Sequence, residues 1–466
     1  MARVAGLVGA MLLAAGAWLA VVSCSGPSLG LVPAVNEQSP DEPSAPGGGT
    51  AGQAGTRAPS RPMSAEQKEA VIERTTALVR DRAYASGVDF GRWETILGRY
   101  QQRLDDAMTS EQFSRHLNRA LNEFGISHLD VLAPSAATRR RENTYGGIGV
   151  VISPAEQGLR IEQVREGSPA EKSGLRAGDL VTEVDGKPVS DLNAIRGEPG
   201  TSVELTVKRE AGKGEGAQAS VEKLTLTRGK ISTATPPSLE LLGEDAAVLK
   251  LRSFTEGYDR GAVERLFRQA RGRSLLVLDL RDNGGGSVSN LMHLLGLMLP
   301  AGSEVGTFVS RQMAEAYAEE TGKDASDVVA VAAWSSRKMR TRRVASIDPF
   351  AGQIAVLVNG ASASASEITA AALRELRSAP LVGTRTAGAV LLSTYVRMEG
   401  GFEMKVPTSD YVTIKGQRLE DRPLVPDVNA GSRFSRRSTS AEQDPVVGEA
   451  LEHLRANADA GLLRSE

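Results

Sequence analysis

Residues Leu275–Leu280 read Leu-Leu-Val-Leu-Asp-Leu, with no alternation of apolar and polar positions. A run of that length and composition is a strand covered on both faces, which needs helices on either side of it. The strand ends in three glycines, Gly284–Gly286, and a helix starts at Ser287. The same layout recurs at Ile354–Val358, a second buried strand that passes through a loop of small residues into a helix at Glu367–Leu376. From Ala246 onward strands and helices alternate. Val248–Leu251 is a strand, Tyr258–Ala270 a helix and Leu381–Val382 a short strand. Phe402–Val406 and Tyr411–Ile414 are expected to pair as a hairpin, and Glu442–Asn457 closes the chain as a helix. Arg311–Arg343 breaks this rhythm and reads as an inserted helical flap, whose cluster Arg337, Lys338, Arg340, Arg342 and Arg343 reads as a solvated face ahead of the alternative, a substrate-facing surface.

The preceding residues are built differently. Ser64 with Gln67, and Thr109 with Gln112, are capping boxes that open helices. Val71, Ile72, Thr75, Leu78 and Val79 share one face of the first helix; Phe113, Leu117, Leu121 and Phe124 share one face of the other. A helix over Trp93–Ala107 lies between them. Residues 63–135 therefore form a small helical domain. Tyr145 to about Gly229 switches to short alternating strands at Ile148–Ile152, Leu159–Val164, Leu180–Val184, Val203–Lys208 and Glu222–Thr227, with Gly212–Gly216 as a hairpin loop. Residues 145–229 are thus a small β domain, followed by a core over 236–434 and a C-terminal helical segment over 435–466.

The first 23 residues read as a targeting segment. Val4–Val22 is an unbroken run of apolar and small residues after Arg3. The run ends at Val21-Val22-Ser23-Cys24, which resembles a bacterial lipobox, and Cys24 is the only cysteine of the 466 residues. Lipidation at Cys24 is the expectation, over an uncleaved anchor whose cysteine is incidental. Residues 24–62, rich in Pro, Gly, Ser and Ala, are expected to form a disordered tether. This places the protein at a bacterial cell envelope, lipid-anchored and facing the periplasm or exterior. A net charge of -2 and only 4% aromatic residues argue against a nucleic-acid partner. The four histidines are scattered and make no zinc-ligand pair, so no metal or organic cofactor is expected.

Two segments carry chemistry. The glycines of Leu278-Asp279-Leu280-Arg281-Asp282-Asn283-Gly284-Gly285-Gly286-Ser287 let backbone N–H groups approach a ligand at a helix N-terminus. Such a loop suits a phosphate or an oxyanion, and the absence of a P-loop lysine weakens the first. In Asn359-Gly360-Ala361-Ser362-Ala363-Ser364-Ala365-Ser366-Glu367-Ile368, small hydroxyl residues stand at another strand-to-helix turn. That is the setting of an activated serine, or of a simple N-cap cluster.

Taken together, in this order, the segments resemble the carboxyl-terminal processing (tail-specific) serine peptidases over about Ala246–Val428, closing with Pro426-Asp427-Val428. The resemblance implies an α+β multidomain chain whose core is a crotonase-like α/β unit (a ββα spiral). It implies Ser364 as nucleophile and an oxyanion hole from the N–H groups of Ala365 and of Gly284 or Gly285. Tyr145-Gly146-Gly147-Ile148-Gly149 resembles a PDZ carboxylate-binding loop. Gly167-Ser168-Pro169-Ala170, Ser173-Gly174-Leu175, Gly178-Asp179 and Val184-Asp185-Gly186 follow in PDZ order. Gly146, Gly147, Ile148 and Gly149 are then the peptide-carboxylate site, and polypeptides entering by their C-terminal tails are the expected substrates.

One departure matters. The usual catalytic lysine of this family falls at position 389, which is alanine here; Lys405 and Lys415 are near in sequence but outside the motif. A branch resembling the tricorn protease replaces that lysine with a Ser-His pair and a downstream glutamate. Ser127-His128 and Glu420 stand at the matching places. The resemblance then implies His128 as base, Glu420 orienting the imidazole, and Ser127 fixing geometry or polarising the carbonyl. The alternative is a catalytically inactive peptide-binding scaffold. The crotonase-like fold also hosts acyl-CoA chemistry, and the PDZ module favours peptides over it.

Overall fold

The computed structural model describes residues 62–462, except 190, 192–193, 210–219, 233, 256, 345–346 and 431–439. The targeting run, Cys24, the tether and the loop Gly212–Gly216 lie outside the described residues. Among the described residues no helix is long and apolar enough to cross a membrane.

The chain opens with three helices, α1 (Ala65–Asp81), α2 (Trp93–Asp105) and α3 (Ser110–Leu121). Both capping boxes form: Ser64 accepts the Gln67 N–H and Thr109 accepts the Gln112 N–H, each at 3.2 Å. The predicted faces of α1 and α3 are the buried ones, Ile72 being half-buried. A short strand β1 (Asp130–Leu132) and a helix α4 (Pro134–Glu142), neither anticipated from the sequence, lead on to β2 (Thr144–Gly147).

The β domain contains β3 (Val150–Ala155), β4 (Gly158–Val164), a turn of helix α5 (Pro169–Lys172), β5 (Leu180–Val184), β6 (Lys187–Pro188), β7 (Ser202–Arg209) and β8 (Ser220–Thr227). Its sheet has the order β3-β4-β5-β7-β8, with β6 on β5, so β3 is an edge. β2 pairs separately with β9 (Gly229–Ser232), which closes the domain at its exit. Ile148, Leu159, Ile161, Val181, Leu205 and Val207 fill its core.

The C-terminal half is built on an open sheet of β10 (Ser238–Leu242), β11 (Ala246–Lys250), β12 (Leu275–Asp279), β15 (Gln353–Val358), β16 (Leu381–Gly383) and β19 (Val428–Asn429), in that order. β10 is antiparallel to β11 and every other pairing is parallel. Helices α6 (Arg260–Ala270), α7 (Val288–Gly296) and α10 (Ala365–Arg377) cover one face over Leu249, Leu276, Leu278, Val356 and Val358. α11 (Pro445–Leu462) covers the other, packing Val446, Val447, Leu451 and Leu454 on Val277, Ala355 and Leu357. This is why Leu275–Leu278 shows no alternation.

A second sheet holds β13 (Glu304–Ser310), β14 (Met339–Arg340), β17 (Leu392–Arg397) and β18 (Glu403–Thr413), joined by β1. The flap helices α8 (Arg311–Thr321) and α9 (Val328–Trp334) lie between β13 and β14, and Arg337, Arg340, Arg342 and Arg343 are exposed, as expected. The expected hairpin over Phe402–Ile414 is instead one strand, β18. Pro407 lacks an N–H yet fits within it because β18 pairs with β1 over 403–405 and with β13 over 409–413, which leaves position 407 between those two ladders. β18 also completes the helical region: Met404 and Val406, with Met398 and Phe402 just before it, pack among Val71, Leu78, Phe113 and Leu117. The helical segment therefore shares its core with the C-terminal half.

Candidate active site

Ser364 stands between β15 and α10 at φ 55°, ψ -116°, a backbone conformation that side chains other than glycine rarely adopt. Its neighbours show why the middle serine of the run is the distinctive one. Ser362 Oγ donates to the Leu280 carbonyl and Ser366 Oγ donates to the Asn283 carbonyl, both at 2.8 Å, and both residues are fully buried. The outer hydroxyls thus fasten the serine turn to the glycine loop. Ser364 lines a small cavity with Ala365 and the apolar side chains of Val288, Phe308, Ile368, Val390 and Leu392.

The glycine loop meets the serine turn at backbone distance. A Cβ on Gly285 would lie 2.8 Å from the Ser364 Cβ, and one on Gly286 would lie 2.4 Å from Thr255 Oγ1. Both glycines also have positive φ, so side chains are excluded twice over. The Gly285 N–H is already donated to Asn283 Oδ1 at 3.0 Å, which corrects its expected place among the oxyanion donors. No acceptor among the described residues takes the N–H of Gly284 or Ala365.

Beneath the turn, the buried carboxylate of Glu367 accepts from the N–H groups of Ser364 (3.2 Å), Gly388 (2.8 Å) and Ala389 (2.9 Å) and from Thr386 Oγ1 (2.5 Å). The Ala389 carbonyl accepts the Ser364 N–H in return, at 2.9 Å. The segment that bears alanine where a lysine was sought is therefore bound to the backbone of Ser364.

Ser127, His128 and Glu420, separated by nearly three hundred residues of sequence, come together. Glu420 is fully buried and accepts the Ser127 N–H (2.8 Å), the Ser127 hydroxyl (3.0 Å) and the Val390 N–H (2.8 Å). Ser127 Oγ lies 2.6 Å from His128 Nδ1. Glu420 thus reaches the imidazole through Ser127 rather than touching it. Since Ser127 gives its proton to Glu420, its oxygen accepts from Nδ1–H, and Nε2 is left with its lone pair. Burial, helped by the Lys405 ammonium, pushes the His128 imidazole well below its ordinary 6.5, while burial pushes the Glu420 carboxyl up. Val390 links this cluster to the Ser364 cavity, since its N–H binds Glu420 and its side chain lines the cavity. Of the two other lysines considered, Lys415 is exposed and Lys405 is buried.

A larger hollow of about 500 Å³, lined by Pro300, Arg343, Phe350 and Arg377, contains none of these residues. The Arg377 guanidinium there donates to the carbonyls of Met298, Phe350 and Gly352 and so serves the loops around it.

In the β domain, the carbonyls of Gly146, Ile148 and Gly149 accept from Gly197, Ala170 and Arg165. The N–H groups of Ile148 and Gly149 find no acceptor among the described residues. Gly147 lies in the ladder opposite Gly229, and Gly146 packs against the Gly197 carbonyl, which a Cβ would meet at 1.9 Å.

The model of peptidase family S41 matches residues 245–430, and that of the PDZ domain matches residues 160–209. The carboxy-terminal processing protease CtpA of Bacillus subtilis (strain 168) is 27% identical over 347 residues, covering 72% of this chain and 67% of that protein. A probable CtpA-like serine protease of Staphylococcus haemolyticus is 27% identical over 298 residues, covering 62% and 53%. The chain thus spans between about half and two thirds of the length of these relatives. Among solved structures, a putative S41 protease from Bacteroides fragilis aligns at TM-score 0.50 and 14% identity, over 74% of this chain and 90% of that one, a likeness of fold.

Proposed function

We propose that this chain, whose residues 245–430 match the model of peptidase family S41 and whose residues 160–209 match that of the PDZ domain, is a serine endopeptidase with Ser364 as nucleophile and His128 as general base. The observation that carries the assignment of the base is the Glu420–Ser127–His128 relay, which leaves Nε2 unprotonated while position 389 holds no lysine. His128 takes the Ser364 proton as the oxygen attacks a peptide carbonyl, then delivers it to the leaving amine. Glu420 stabilises the imidazolium through Ser127. The N–H groups of Ala365 and Gly284 receive the oxyanion.

In the same proposal the free edge of β3 takes a substrate tail as an added strand, with the tail's carboxylate on the Ile148 and Gly149 N–H groups. Cys24 carries lipid that holds the enzyme at the outer face of a membrane, where envelope or secreted polypeptides are the substrates.

A fluorophosphonate probe tests the core of the proposal. It is expected to label the wild-type chain at Ser364 and to leave Ser364→Ala unlabelled. Wild-type protein that neither labels nor cleaves any unstructured polypeptide is instead the peptide-binding scaffold that Ala389 suggests.

A further inference from the structure

Three guanidinium groups gather around one carboxylate where α4 meets the second sheet. Glu403 of β18 is buried. Its Oε2 accepts from Arg140 Nη2 at 2.7 Å and Nε at 2.9 Å, and its Oε1 accepts from Arg141 Nη1 at 2.5 Å. Both oxygens are thereby bonded. Arg397 of β17 nevertheless stands directly opposite Glu403 in the ladder and brings a third guanidinium to 4.0 Å, with 82% of its side chain exposed. Arg139 is exposed as well. Glu142, the other carboxylate of this stretch of α4, is taken by Lys230 at 2.7 Å. The cluster therefore carries an excess of positive charge. Cations in the last turn of α4 suit the dipole of that helix, which accounts for residues 139–141. It does not account for Arg397, which belongs to a strand, and Glu403 is already bonded by two arginines. An exposed guanidinium fork among like charges is set to receive a further carboxylate.

The place of the cluster in the fold says whose carboxylate that is. β17 pairs with β18 along one side and, among the described residues, with no strand along the other. Its first residue, Leu392, lines the cavity that holds Ser364. Its last residue is Arg397, about 16 Å further along an extended strand. On the other side α4 leads directly into β2, which ends next to Ile148. Connected elements thus run from the arginines to the Ser364 cavity in one direction and to the carboxylate loop in the other. We propose that Arg397, with Arg141 and Arg139 beside it, forms a docking surface for an acidic segment of the polypeptide substrate. An extended substrate along β17 with its reacting carbonyl at Ser364 brings a side chain about five residues away to the Arg397 guanidinium. Chains with Asp or Glu at that distance from the cleaved bond are selected. This deepens the peptidase reading and rests on it for the cleaved bond, while the docking itself is measurable without cleavage. The contact is made equally before and during reaction, so it lowers KM and leaves kcat alone.

The test uses the full chain carrying Ser364→Ala and two fluorescein-labelled Gly-Ser peptides, one with a run of Asp and one with Asn in its place. Both are amidated at the C-terminus, so neither cleavage nor the carboxylate loop contributes. Fluorescence anisotropy is expected to show the Asp peptide bound about tenfold more tightly. Arg397→Gln, at an exposed site that folding does not need, is expected to reduce that preference about threefold. Arg397→Lys is expected to keep most of it, and Arg141→Gln combined with Arg397→Gln to abolish it. In the chain with Ser364 intact, Arg397→Gln is expected to raise KM for a fluorogenic Asp-bearing peptide about threefold with kcat unchanged. An Asp preference that is absent, or that survives in the double variant, overturns the proposal. A double variant that loses binding to phosphatidylserine vesicles but keeps the Asp preference also overturns it, and makes the patch a membrane-facing surface. Absence of cleavage and of labelling at Ser364, beside an Asp preference that depends on Arg397, upholds the docking surface and overturns the peptidase reading alone.

Discussion

His128 occupies a left-handed backbone position, φ 62°, at the exit of the helical region, and Ser364 a strained one at the start of α10. Such conformations are costly outside glycine and persist where surrounding bonds hold them, here Glu420 on Ser127 and Glu367 on Ser364. If the two residues act as one unit, His128→Ala lowers kcat nearly as far as Ser364→Ala, up to about 10⁶-fold, and the double variant is little worse than either. Steady-state kinetics on the three variants checks this, and wild-type turnover in His128→Ala refutes it. Ser127→Ala removes the group that holds Nδ1–H, so kcat falls by about 10²-fold or more with KM little changed. A rate within threefold of wild type would show that Ser127 is not the relay. The acid limb of the wild-type profile is expected below 6.5, since burial and Lys405 hold the imidazole neutral there. Neither the burial nor the cation that lowers it is legible in the sequence.

At the scale of elements, β18 does more than a hairpin would. One of its faces supplies Met404 and Val406 to the helical core, and the other supplies Glu403 to Arg140 and Arg141 of α4 and Lys405 to Asp130 of β1. The helices over 63–135 therefore lack part of their core when the catalytic half is absent. That segment expressed alone is expected to show little helix by circular dichroism and no cooperative thermal transition. A sharp transition in the isolated piece would mean that the shared core is dispensable. Within the intact chain, Met404→Ala is expected to cost about 2–5 kcal/mol by emptying a buried site, read from denaturant unfolding. Thr109→Ala removes only a cap, at about 1 kcal/mol.

For the whole molecule, the β domain is joined to the rest of the chain by α4 on one side and by the segment from β9 to β10 on the other. Amidating the C-terminus of a bound peptide is expected to weaken its binding at least about tenfold, because charge-assisted bonds to the Ile148 and Gly149 N–H groups are lost. Equal affinity of acid and amide, by calorimetry, would remove the carboxylate site. The sequence by itself determined the elements whose signal is local: the two capped helices, the strands of the β domain, the buried strands β12 and β15, and the two small-residue turns that end them. Capping, period and unbroken apolar runs act between residues a few positions apart and are legible one segment at a time. Its resemblance to a known family then brought Ser127, His128, Ser364 and Glu420 to attention as a set. Only the tertiary structure decided which of three serines is left for the cavity, that the Gly285 N–H is given to Asn283, and that Glu420 bonds Ser127. Only there, too, did Phe402–Ile414 become one strand, with Lys405 set opposite Asp130. Each of these depends on partners tens to hundreds of residues apart, and such contacts are fixed by how the sheets assemble, which no local pattern of residues records.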